Sequence, residues 1–186
     1  MRAYMKSEMP FLGVQSAGVG EVCKALAAAV RLDDVRRLWD EAEFREERYV
    51  AIGLSKPLVS VDALPLFEHM IVTGAWWDLV DTVAIHRIGP LLPDVRDTML
   101  AWSRDPHLWK RRSAIICQVA RRERTDVELL HASIEPNLAD REFFIRKAIG
   151  WALRERSKHA PDEVVRFVAT HELSGLSRRE ALRRIR

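Results

Sequence analysis

The sequence lacks the features that would place it in a membrane or on an export pathway. No apolar run approaches the roughly 20 residues that a membrane-spanning helix needs. The first residues, MRAYMKSEMPFLGV, contain no apolar signal-peptide core, so nothing argues for export. Only two cysteines occur, Cys23 and Cys117, both in apolar segments and without metal-ligand spacing. We expect both to be small buried residues of a protein in a reducing compartment.

Motifs for several common kinds of active site are missing as well. The sequence has no His-Glu-x-x-His, no Cys-x-x-Cys, no glycine-rich phosphate loop and no iron-sulfur set of cysteines. Its six histidines include no pair at metal-ligand spacing on one helix. We therefore expect no metal and no cofactor.

The bulk composition is that of a folded protein with an uneven distribution of charge. At 186 residues, with 48% hydrophobic and 31% charged residues, the chain suits one domain spanning residues 1–186. Residues 1–103 carry 11 Lys and Arg against 15 Asp and Glu, whereas residues 104–186 carry 19 against 12. This asymmetry is typical of a surface that meets a polyanion, but also of a solvated set of charge-rich helices.

Helical periodicity extends over almost the whole chain. Prolines and glycines fall mainly between apolar-periodic stretches, and no alternating strand pattern is present, so eleven helical segments are predicted. Three of them matter most for function: Trp77–Ile88, His107–Arg122 and Glu142–Lys158. Helix–loop–helix units recur about every 35–40 residues, which favours a solenoid of helical repeats over a four-helix bundle. The predicted fold is an all-α curved solenoid with a concave inner wall.

An arginine interrupts the apolar stripe of the second of these segments. Leu108, Ile115 and Val119 share one face of the helix, and Arg112 lies within that face. An unpaired buried charge is costly, so Arg112 needs either a buried carboxylate or a ligand. The sequence leaves both interpretations open.

The stretch GAWWDLVD places two tryptophans beside two aspartates. Trp77 and Asp81 are four residues apart, and a helix therefore sets them on one face, one turn from each other. The dipole of the helix N-terminus accounts for Asp78. Asp81 lies further along and can stabilise a nearby developing cation. The alternative is that Asp81 caps a helix or pairs with a neighbouring Lys or Arg.

A third misfit is the face of the Glu142–Lys158 segment that carries Lys147, Trp151, Arg154 and Lys158. Three cations around one indole fit a surface that binds phosphates, with an aromatic ring beside a sugar or base. The alternative is a solvated face on which basic side chains extend around a half-buried tryptophan.

Several stretches resemble the AlkD-like DNA alkylation repair family, which is built from HEAT-like helical repeats. The matching stretches occur in the family order over nearly the whole chain: AYMKSEMPFLGV, FREERYVAIGL, WWDLVDTVA, LWKRRSAII, EFFIRKAIGWALRERSKHAPDEVVRFV and LSRREALRRI. The resemblance implies a right-handed solenoid with a concave basic face. It also implies a site formed by Asp81, Trp77, Arg112 and Trp151, the last three around the aspartate.

The resemblance further implies an activity and a partner. The family activity is removal of cationic alkylated purines, such as 3-methyladenine and 7-methylguanine, from double-stranded DNA by a monofunctional glycosylase. Asp81 would stabilise the sugar cation and orient water, the two tryptophans would flank the deoxyribose, and Arg112 would grip a phosphate. We expect a monomer in the bacterial cytoplasm, at the nucleoid. The expected DNA-binding residues are Arg111, Lys147, Arg154, Lys158, Tyr4 and Gln15.

Two departures from the family pattern and two rival functions qualify this expectation. Family members usually have a helix upstream of the AYM segment, so this chain is expected to start late or to lack part of the first repeat. Where the family continues with a proline and two arginines, the chain has QSAGVGEV, around Gln15. The rivals are a non-catalytic helical-repeat DNA-binding protein and a protein-interaction scaffold for acidic peptides. Relatives without catalytic activity are expected to lack the tryptophan–aspartate pair that Trp77 and Asp81 form here.

Overall fold

A computed structural model describes Met5 and residues 7–185 of the chain, and the regular structure of these residues is helical with no strand. Tyr4, predicted to lie near DNA, falls outside the described residues. No helix in the described part is long and apolar enough to cross a membrane. The α-helices run over Ser16–Leu26 (α1), Leu32–Glu41 (α2), Arg45–Leu54 (α3), Leu64–Gly74 (α4), Trp77–Val83 (α5), Arg96–Trp102 (α6), Leu108–Ile116 (α7), Val127–Ile134 (α8), Phe143–Arg156 (α9), Pro161–Thr170 (α10) and Gly175–Leu182 (α11).

The helices are arranged in two rows. The odd-numbered helices form one continuous row in which α1 packs on α3, α3 on α5, α5 on α7, α7 on α9 and α9 on α11. The even-numbered helices flank this row, with α2 packed on α3, α4 on α5, α6 on α7 and α10 on α11. This arrangement confirms the predicted all-α helical-repeat solenoid. The three predicted segments that carry the site residues correspond to α5, α7 and α9, all in the odd-numbered row.

Two hydrophobic clusters form the core and meet at α5 and α7. The first cluster contains Leu79 and Val83 of α5 and is filled by large side chains such as Trp39 and Phe67, each with no exposed surface. The second contains Ile115 of α7 and side chains of α8 to α11. Helix α7 contributes to both clusters, and Ala84 and Ile85, directly after α5, belong to the second. The surface above α5 and α7 therefore has a rigid base.

A tight turn aims α5 at this junction. Helix α4 ends at Gly74, and the next residue, Ala75, has a left-handed backbone with φ of 39°. A side chain at Gly74 would lie 2.9 Å from the ring of Trp39, so only glycine lets α4 end against that ring. Beyond α5, the chain widens into a single π-helical turn over Ala84–Ile88. Such turns are rare and are frequent at functional sites.

Two of the helices have side-chain caps, and the two cysteines differ in burial. Asp126 caps α8 by accepting the amide of Leu129 at 2.9 Å, and Ser174 caps α11 by accepting the amide of Ser177 at 3.1 Å. Cys117 is fully buried, as expected, and burial raises the pKa of its thiol to about 12. Cys23 is half-buried, less than the expected burial, because α1 buries none of its side chains completely.

Candidate functional site

An open cleft lies over the junction of the two core clusters, beside α5, α7 and α9. Its volume is about 440 Å³, within the usual range for ligand pockets. Three of the four predicted site residues line it: Trp77 and Asp81 of α5, and Trp151 of α9. The polar and aromatic side chains in its wall are Trp77, Asp78, Asp81, Thr82, His86 and Trp151.

The fourth predicted residue, Arg112, lies beneath the cleft and binds Asp81. The guanidinium donates from Nε to Oδ1 of Asp81 and from Nη2 to Oδ2, both at 2.7 Å. Its Nη1 donates to the backbone carbonyl of Phe144 at 2.5 Å. The arginine is 5% exposed, and the Asp81 side chain keeps 14% of its surface exposed. This two-pronged contact fixes the carboxylate plane and leaves the aspartate open to the cleft.

The charge state of Asp81 is set by opposing effects. Burial raises its pKa above the ordinary value of 3.8, the hydrogen bonds and charge of Arg112 lower it, and the charge of Asp78 raises it further. The net direction is upward, because the carboxylate has lost most of its water. Asp81 is therefore held in place more firmly than an exposed carboxylate and titrates closer to neutrality.

The adjacent tryptophans of GAWWDLVD have separate environments. Trp76 has an extended backbone and packs its indole against Trp109 and Phe144, with ring centroids 6.3 and 5.6 Å away. Trp77 begins α5 and lines the cleft. Trp76 therefore supports the residue whose carbonyl holds Arg112, while Trp77 faces the space beside Asp81. The apolar and acidic side chains of this stretch therefore lie in different environments.

The sequence interpretation missed a second carboxylate cluster, at Asp78. Oδ2 of Asp78 accepts a hydrogen bond from the hydroxyl of Tyr49 at 2.6 Å, and Oδ1 accepts one from Nη2 of Arg45. Arg45 is 3% exposed and lies, like Tyr49, on α3. Burial and Asp78 raise the pKa of Tyr49 to about 12, so its hydroxyl stays protonated and remains a donor. The available signal was the four-residue spacing of Arg45 and Tyr49, which puts both on one face.

Two of the predicted DNA-binding cations share one carboxylate on α11. Lys147 donates to Oε1 of Glu180 at 3.0 Å, and Arg154 binds Oε2 of the same side chain. The hydrogen bond from Lys147, with the charges of both cations, holds the pKa of Glu180 below its ordinary value. Gly150 lets the two helices meet here, since a side chain there would lie 2.5 Å from Cβ of Glu180.

The other two predicted cations have separate acidic partners. Arg111 lies 3.1 Å from Asp140 and also donates to the carbonyl of Asp105, whereas Lys158 pairs with Glu155 one turn before it on α9. The structure therefore does not group Arg111 and Lys158 with the pair at Glu180, and all four cations are partly neutralised within the chain.

Gln15 lies in a second cavity, separate from the catalytic candidates. It is exposed at the start of α1, and the cavity around it has a volume of about 860 Å³. Asp78 and Thr82 line both spaces, so they form the wall between them. The loop before Gln15 is fixed by Glu46, whose carboxylate accepts the amides of residues 12–14 at 2.8–3.2 Å.

The described residues contain no group of three or more His, Cys, Asp or Glu side chains arranged to hold a metal ion.

Comparison with known proteins is consistent with this geometry. A model of the DNA alkylation repair enzyme family matches residues 1–185. A solved structure of a predicted DNA alkylation repair enzyme from Enterococcus faecalis superposes with a TM-score of 0.90 and 29% sequence identity, covering 100% of this chain and 92% of that one. None of the curated protein sequences compared with the chain matches it. The chain belongs to the DNA alkylation repair enzyme family.

Proposed function

We propose that this protein is a monofunctional DNA glycosylase that hydrolyses the N-glycosidic bond of cationic alkylated purines in double-stranded DNA and so begins base excision repair. The observation that carries the proposal is the position of Asp81, which Arg112 holds at the base of an open cleft lined by Trp77 and Trp151. Membership of a DNA alkylation repair family supports a repair role for this cleft.

The charge of the proposed substrates determines what the cleft must provide. A purine alkylated at N3 or N7 carries a positive charge, so it leaves as a neutral base when the glycosidic bond breaks and takes the bonding electrons. No general acid is needed to protonate it. The deoxyribose becomes positively charged at C1′, and this developing cation is what the protein must stabilise.

Asp81 supplies the required negative charge. Its carboxylate is open to the cleft, and a fixed anion in a poorly hydrated site stabilises a developing cation without having to reorganise. A water molecule then adds to C1′ and loses a proton, which Asp81 accepts and passes to solvent. The products are a free base and an abasic sugar, and Asp81 returns to its ionised form.

The aromatic and basic neighbours complete the site. Trp77 and Trp151 line the cleft with π faces that attract positive charge and exclude bulk water from the sugar. Arg112 has five N–H groups, of which three are used by Asp81 and Phe144, so its main contribution is to orient the carboxylate.

Binding of the duplex requires exchange of partners among the basic residues. Lys147, Arg154, Arg111 and Lys158 pair with carboxylates in the free protein, and DNA phosphates compete for the same donors. These contacts hold the backbone without reading sequence, and their strength depends on salt. We propose binding as a monomer in the bacterial cytoplasm, where the nucleoid presents the duplex.

The absence of a lysine among the described residues that line the cleft supports a monofunctional reaction without strand cleavage. The test is to incubate the purified protein with methylated duplex DNA, to quantify released 3-methyladenine and 7-methylguanine, and to look for strand breaks before and after alkali. Base release with breaks only after alkali is the expected result. Salt-sensitive duplex binding without base release would instead indicate a non-catalytic DNA-binding protein. Preference for acidic peptides would indicate an interaction scaffold.

A further inference from the structure

Asp78 occupies an unusual position next to the proposed reacting centre. It lies three residues before Asp81 on α5, so a helix puts the two carboxylates on neighbouring turns of one face. Both line the cleft, and each is bound by a buried arginine from the adjacent helix of the odd-numbered row. Arg45 of α3 serves Asp78 on one side, and Arg112 of α7 serves Asp81 on the other.

The contacts of Asp78 hold its carboxylate in place. Arg45 and Tyr49 each bind one of its carboxylate oxygens, while Thr82 donates from its hydroxyl to the Asp78 backbone carbonyl at 2.8 Å. The Asp78 side chain retains 13% of its surface exposed, and the Arg45 side chain retains 4%. A capping aspartate at a helix start would need none of this support.

We propose that Asp78 is a positioning residue that acts through Asp81, adding a second fixed negative charge to the cleft and setting the charge state of the proposed catalytic carboxylate. Arg45 controls the strength of this effect, because it partly neutralises Asp78 from behind. This inference rests on the proposed glycosylase function, which assigns the chemistry to Asp81.

Other ionisable groups near Asp81 are paired or neutral. The electrostatic field at Asp81 can therefore be changed through Asp78 and its partner Arg45. On α4, which also packs against α5, Glu68 is paired with Lys110, and His69 with Asp40. Burial and the charges of Arg87 and Lys56 lower the pKa of His86, which is then neutral at pH 7. The ionisable groups that line the cleft beside Asp81 or bind one of its two carboxylates are Asp78, His86, Arg112, Arg45 and Tyr49.

Two substitutions move the charge around Asp81 in opposite directions. Asp78→Asn removes a like charge, so the pKa of Asp81 falls and the acid limb of the rate profile moves to lower pH. Arg45→Gln leaves Asp78 uncompensated, so the acid limb moves to higher pH. Asp78→Asn should also lower the maximal rate about tenfold, less than loss of the nearer Asp81 charge.

The experiment measures release of 7-methylguanine from methylated duplex DNA as a function of pH for the wild type, both variants and Asp97→Asn, an exposed control on α6. Opposite displacements of the acid limb, with the control unchanged, are the expected result. If both variants only lower the melting temperature and the limb stays in place, Asp78 is purely structural and the inference is overturned. Absence of base release by the wild type would reject the proposed function instead, so the two failures are distinguishable.

Discussion

The pairing of Asp81 with Arg112 can be tested by a double-mutant cycle with Asp81→Leu, which has no hydrogen-bond acceptor in its side chain, Arg112→Met and the double variant. The two hydrogen bonds between them are both 2.7 Å long, and the arginine is 5% exposed. Removing one member leaves the other buried without its partner, which costs about 3–5 kcal/mol of unfolding free energy. Each charge-assisted hydrogen bond is worth about 1.5–3 kcal/mol, so two such bonds imply a coupling of about 3 kcal/mol or more.

The assay is urea unfolding at neutral pH, followed by circular dichroism, with the slope of the transition compared among the four proteins. The double variant should be less destabilised than the sum of the single variants by the coupling energy. The Phe144 carbonyl contact of Arg112 drops out of the cycle, because it is lost in both arms that remove the arginine. A coupling below about 0.5 kcal/mol would mean that the two residues act independently and would refute the reasoning.

Three further results are expected. Arg112→Gln should move the acid limb of base release to higher pH, because the group that lowers the pKa of Asp81 is gone; an unmoved limb in a rate–pH profile would contradict this. Glu180→Gln should tighten duplex binding and steepen its logarithmic salt dependence by about one, because the single carboxylate that competes with DNA for Lys147 and Arg154 is removed; fluorescence anisotropy titrations at several salt concentrations test it. Trp151→Ala should lower base release about tenfold, the equivalent of roughly 1–2 kcal/mol of cation–π attraction, with weaker loss of binding to undamaged duplex; equal losses would point to a binding role.

The fold was predictable because its signals are local. Apolar periodicity and the positions of proline and glycine mark the helices, and the recurrence of helix pairs indicates a solenoid. The lengths of the helices were predicted less accurately. The predicted Trp77–Ile88 helix divides into α5 and a π-helical turn, and the predicted His107–Arg122 helix ends as α7 at Ile116. Tertiary packing around the cleft decides these ends, and periodicity does not record it.

The site residues that violate an apolar pattern were also detectable in the sequence. Arg112 interrupts a core stripe, and Asp81 is too far inside its helix for a cap. The sequence could not show that these two residues pair with each other. They are 31 residues apart, and their contact depends on the packing of α5 against α7. The two open interpretations of Arg112, a buried salt bridge and a functional residue, are compatible in this arrangement.

Residues within charge-rich stretches were harder to interpret. Arg45 is followed by two glutamates and another arginine, so it resembles part of a solvated helix face, although it is almost fully buried. Lys147 and Arg154 were predicted to lie on an open basic face, but Glu180 of a later helix binds both. A side chain contributed by a distant helix determines burial and charge compensation, and sequence spacing carries no information about it.

The central claim is most directly tested by comparing Asp81→Asn with the wild type in single-turnover release of 7-methylguanine, with binding to duplex DNA containing a stable abasic-site mimic measured in parallel. The account predicts a loss of base release of about 10²-fold or more, the usual effect of removing one electrostatic group, while binding changes by only a few fold. Equal base release by the two proteins would contradict the account.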